Sequence, residues 1–151
     1  MKTLTGFSVA SLVIALSVGC GESTEPVVTV ADLVGTWSAT QFSVTDESGT
    51  IGPVNLITLG GSLVITVASN GNFTGTFRAT ALSAETAVAG SITIQQGTLT
   101  LAFTDGLDEP ISGSFVLGND RLTITGMGLT VDFEGQTIPA ATVILVLERN
   151  G

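Results

Sequence analysis

From Trp37 onward apolar residues return at every second position, and nothing else in the chain restricts its fold as strongly. Phe73, Gly75, Phe77 and Ala79 alternate with Thr74, Thr76, Arg78 and Thr80. Leu99, Leu101 and Phe103 alternate with Thr98, Thr100 and Thr104, Leu122 and Ile124 with Arg121, Thr123 and Thr125, and Leu129, Val131 and Phe133 with Thr130, Asp132 and Glu134. A period of two puts one set against a core and the other in water, the pattern of half-buried antiparallel strands. Threonine, a β-branched residue that suits a pleated surface, fills the wet face repeatedly.

Turn chemistry separates these runs. Asn70-Gly71 between two strands is a hairpin signal, and "QQGT" at 95–98, "LGNDR" at 117–121 and "GMG" at 126–128 read as further turns. The spacing predicts strands near 35–45, 54–59, 62–68, 72–80, 88–95, 97–104, 111–117, 121–126, 129–134 and 140–148, and it leaves open that some of the shorter ones are parts of one bent strand. Residues 82–89 are ambiguous and allow a short helical turn. Short links favour a meander of neighbouring hairpins. The expectation is an all-β domain, an antiparallel up-and-down β-barrel of about eight to ten strands, with a β-sandwich as the alternative. Closure into a barrel would remove the exposed strand edges.

The N-terminus carries a different signal. Lys2 precedes an apolar stretch from Phe7 to Val18, interrupted by Ser8, Ser11 and Ser17, and small residues lead to Cys20. This is the plan of a secretory signal over residues 1–19, and the apolar stretch is short for a bilayer span, which needs roughly 20 residues. "LSVGC" resembles the lipobox of bacterial lipoproteins, with Ser17 at the position where leucine is usual and Leu16 one place earlier. The resemblance implies lipid attachment at Cys20, and Gly21 after it implies the outer membrane of the bacterial cell envelope. Residues 20–30 then form the lipidated cysteine and a polar tether, and 31–151 the folded domain. The nine residues from Gly21 to Thr29 would reach roughly 30 Å when extended.

Charge and composition narrow the chemistry. Thirteen acidic residues face four basic ones. Removal of residues 1–19 takes Lys2 and leaves Arg78, Arg121 and Arg149. So acidic a body repels nucleic acid and anionic lipid. Membrane contact is expected through the N-terminal lipid. Cys20 is the sole cysteine, so no disulfide supports the fold. Without histidine no Ser-His-Asp or Cys-His arrangement can form. No enzymatic activity, cofactor or metal is expected. Asp105, Asp108 and Glu109 form the densest acidic cluster. A calcium site there is conceivable, but the spacing matches no calcium loop and a solvated turn is the plainer reading. Asp46 and Glu47 read the same way. Gly60-Gly61 joins two strands, so it is a bend and not a phosphate loop.

The segment "DLVGTWSATQF" at 32–42 resembles the lipocalin signature, and the chain looks most like the short bacterial lipocalin-like lipoproteins. The resemblance rests on Gly35, Trp37 and Arg149. It implies an eight-stranded barrel with one end open to an apolar cavity, and an arginine near the end of the last strand packed across the tryptophan. Trp37, Phe73, Phe77, Phe103 and Phe115 are candidate ligand contacts, with Phe133 beside them, although core packing is the alternative for each. Gly75 and Gly113 could open space for a ligand or let the strands coil tightly. The last strand is apolar on both faces, Val143, Leu145 and Leu147 against Ile144 and Val146, which suggests packing against the N-terminal segment or a subunit contact. The expected function is binding or carrying a small apolar ligand in the envelope. The alternative is a non-catalytic interaction domain with a filled core that contacts another envelope protein. Oligomeric state is left open.

Overall fold

The structure, a computed structural model, describes residues 27–46, 52–133 and 136–151, and at 127–129, 131–133 and 136–141 it describes the backbone. Cys20, the signal segment, most of the tether and Glu47 lie outside the described residues. Nine strands follow a single 3-10 turn at Val30–Leu33: β1 Gly35–Thr45, β2 Val54–Asn55, β3 Ser62–Val67, β4 Asn72–Arg78, β5 Thr86–Gln95, β6 Thr98–Asp105, β7 Ile111–Gly118, β8 Arg121–Phe133 and β9 Gln136–Arg149. From β3 to β9 each strand pairs antiparallel with its successor, and β1 pairs with β3. β1 also pairs with β9, from Trp37 opposite Arg149 to Thr45 opposite Thr142. That seam closes an eight-stranded up-and-down barrel. A two-sheet sandwich would leave it open. β2 is an extra short strand against Ser43 and Val44.

Three local expectations are corrected. Residues 54–59 do not form one strand: after two residues the chain enters a second 3-10 turn, Leu56–Leu59. The Asn55 side-chain oxygen accepts from the Ile57 and Phe42 backbone N–H groups at 3.1 Å each. Asparagine offers the backbone a local partner, and this outweighs the strand-like pattern. Gly60, at φ 80°, ends the turn. Second, Gly126–Gly128 is not a turn. β8 runs through it with a register shift between Met127 and Leu129, so the two strands expected at 121–126 and 129–134 are one bulged strand. Third, residues 79–83 form bends and turns, and β5 begins at Thr86 without a helical turn.

A bulge in β1 matters for packing. Trp37 and Phe42 differ in parity, yet both are buried. The register slips between Ala39 and Gln41, which restores inward phase for Phe42 and Val44. Inside the barrel Phe42, Leu63, Ile65, Phe73, Leu99 and Leu145 belong to one continuous apolar cluster. Phe73 meets Phe103 edge to face at 5.4 Å, and Phe42 meets Phe77 at 5.9 Å. On β9, Val143, Leu145 and Leu147 point into this cluster. Val146 is buried on the other face, opposite Gln41 of β1 in the register, while Ile144 is partly exposed.

The two ends of the barrel differ. At one end the hairpins are tight: Gln96 and Gly97 both have positive φ (50° and 78°), as a two-residue primed turn requires. The 3-10 turn Val30–Leu33 lies across this end, with Leu33 fully buried and Val30 against the β3–β4 hairpin at Gly71. We call it the closed end. The other end carries the longer links, residues 46–61, 79–85 and 106–110.

Candidate functional site at the closed end

Two features meet at the closed end: a plug around Trp37 and a cleft beside it. Trp37 sits on β1 one turn of chain after Leu33 and is 1% exposed. Its indole N–H donates to the Leu33 carbonyl at 2.7 Å, which satisfies its one polar atom without water. The guanidinium of Arg149, from the end of β9, lies 4.4 Å from the indole centroid. Sequence reasoning expected this stack. It did not foresee the other contacts of Arg149, which donates to the carbonyls of Val34 and, at 2.7 Å, Asp32, and lies 3.2 Å from the Asp120 carboxylate. One planar fork thus ties the N-terminal turn, the β7–β8 hairpin and the last strand together. The Asp32 carboxylate accepts from the Thr29 backbone N–H at 2.8 Å and from its hydroxyl at 2.9 Å. These bonds to Thr29, with a smaller pull from Arg149, hold the Asp32 carboxyl below the usual carboxylate range.

The cleft has a volume of about 640 Å³. Val27, Val28, Thr29 and Val30 form one wall, and Ile94, Gln96, Gly97 and Phe115 form the other. No lining residue is charged. The volume falls in the usual range for small-molecule sites, about 300–1,000 Å³. Sequence reasoning assigned Val27 to Thr29 to the tether and Gln96-Gly97 to a turn, so it missed most of this site. The available signal was the group Val27, Val28 and Val30, apolar residues directly after a polar segment.

Of the aromatic candidates with described side chains, Phe115 alone lines the cleft. Trp37 is in the plug, Phe73 and Phe103 pair with each other, and Phe77 pairs with Phe42. Phe133 is described by its backbone, opposite Gln136. Gly35 starts β1 at φ 136°, where a β-carbon would stand 3.1 Å from the Arg149 guanidinium.

Gly75 and Gly113 do not open space for a ligand. A β-carbon on Gly75 would lie 1.9 Å from the Val64 carbonyl oxygen, and one on Gly113 would lie 2.1 Å from that of Thr125. At both positions the neighbouring strand occupies the place of the side chain, and glycine lets the sheet coil sharply into the barrel. The acidic cluster is also partly structural: the Glu109 carboxylate accepts from the Thr130 backbone N–H of β8 at 2.6 Å.

No family model matches this chain, and no curated protein matches it. The fold and site define a closed eight-stranded antiparallel barrel, an architecture compatible with the lipocalin-like one.

Proposed function

We propose that this protein is a membrane-tethered, lipocalin-like lipoprotein of the bacterial envelope that holds one small apolar molecule without chemically altering it. The uncharged cleft of about 640 Å³ at the closed end carries this reading. The Trp37–Arg149 stack and the Gly35-x-Trp37 start of β1 support the lipocalin likeness, and the Cys20 signal supports the tether. The ligand's place shifts from the barrel interior, where Phe73 packs on Phe103 and Phe42 on Phe77, to the cleft at its end.

Trp37 is the sole tryptophan and lies next to the cleft wall through Leu33 and Val30. Titration with quinones, fatty alcohols and lysolipids is expected to change its emission saturably and to raise the melting temperature. At a hundred times its dissociation constant a ligand adds about 2.7 kcal/mol of stability. The continuous core cluster favours a second reading, a filled barrel whose outer face meets another envelope protein. If no compound in the panel moves emission or melting, and extracts of the purified protein contain no apolar molecule, that second reading replaces the first.

The tether has its own test. Cys20→Ser should move the protein from membranes to the soluble envelope fraction, because acyl chains contribute roughly 0.8 kcal/mol per buried CH₂ and the acidic body adds no attraction. A variant that still sediments with membranes would remove the lipid anchor from the proposal.

A further inference from the structure

We propose that the closed end of the barrel faces the bilayer and that the cleft there takes one hydrocarbon chain of a zwitterionic membrane phospholipid. This rests on the tethered, ligand-holding reading above and adds the orientation, the source of the ligand and its headgroup class.

Three observations lead to it. The first is position. Val27 and Val28 line the cleft and are also where the tether reaches the barrel, Val27 seven residues after Cys20. Seven residues span at most roughly 25 Å, so a lipid on Cys20 holds this end, and not the opposite one, near the membrane. The second is surface chemistry. Val27 is 83% exposed, and with Val28, Ile94 and Phe115 it offers an apolar lining to whatever lies in front of it. Hydrocarbon placed there leaves water together with these side chains. The third is charge. Asp32, Asp120 and Glu148 stand around this end with Arg121 and Arg149. Arg149 is tied to Asp120 and two backbone carbonyls, and Arg121 stands opposite Glu148 in the register. Three carboxylates against two arginines leave the described charge around this end net negative, which disfavours a phosphatidylglycerol headgroup or a free fatty-acid carboxylate. A headgroup of zero net charge meets no such penalty.

The test uses the full chain with its own anchor in phosphatidylcholine vesicles whose acyl chains carry a photoactivatable diazirine. After irradiation, labelled residues are mapped by mass spectrometry. Labels are expected at Ile94, Gln96 and Phe115. Val28→Asp places a charge in the cleft ahead of the first strand, where no barrel pairing is disturbed, and should cut that labelling about tenfold, equivalent to roughly 1.4 kcal/mol. Labels confined to residues 79–85 and 106–110, or a yield unchanged by Val28→Asp, would overturn the orientation. Equal labelling from diazirine-bearing phosphatidylglycerol would overturn the headgroup assignment. Where soluble apolar compounds shift Trp37 emission but Ile94 and Phe115 remain unlabelled, the ligand-holding function stands and the membrane-facing inference falls. Where neither occurs, both fall.

Discussion

Trp37→Ala is expected to lower the free energy of unfolding in urea by about 3–5 kcal/mol, the range for removing a large buried aromatic from a core. The indole is 1% exposed and packs where the 3-10 turn, β1 and β9 converge, so no neighbouring segment is free to fill the void. The Leu33 carbonyl would also lose its donor. Arg149→Ala should cost less, about 1–3 kcal/mol, from the stack and two hydrogen bonds at a partly exposed site. The two changes share an interface, so their effects should not add. A double-mutant cycle should give a coupling of about 0.5–2 kcal/mol. Strict additivity would mean that the 4.4 Å stack contributes nothing to stability.

The second large effect is at Gly75. Gly75→Leu is expected to abolish folding or to cost more than the roughly 1–3 kcal/mol usual for overpacking, because the clash is with backbone and not with a movable side chain. Even Gly75→Ala meets the Val64 carbonyl at 1.9 Å. Gly52→Ala, where a β-carbon would meet nothing within 4 Å, is the control and should leave melting unchanged. A Gly75→Leu protein that melts like the wild type would show that β3 and β4 stand farther apart than described.

The contrast between Gly75 and the cleft shows what the sequence made readable. Alternation from Phe73 to Phe77 and from Leu99 to Phe103 identified inward faces because strand periodicity is a local property. β1 was legible to its ends, 35–45, although the bulge that keeps Trp37 and Phe42 on one side was not. Glycine on an inward face is ambiguous in sequence: only the neighbouring strand decides whether the missing side chain leaves a gap or admits a carbonyl. Asn55 hid a cap inside an apolar run, and Gly126 to Gly128 hid a bulge that looked like a turn. The cleft was least legible. Its walls are a leader segment and a hairpin turn far apart in the chain, each polar enough to pass for a connection, and only barrel closure brings Val28 near Phe115. For the same reason Arg149 was assigned one partner when it has four.

The β1–β9 seam also determines when the fold can exist. The hydrogen bond from Arg149 to the Val34 carbonyl joins residues 115 positions apart, and the whole seam joins the first strand to the last. Each other ladder links strands that neighbour each other in the chain or nearly so, and such hairpins can form early. The seam must await the final strand, at the loop-closure cost of nearly the full domain. A chain that emerges N-terminus first would therefore keep the free edge of β1 exposed until β9 has followed. β9 is then the strand whose pairing with β1 turns an open sheet into a barrel.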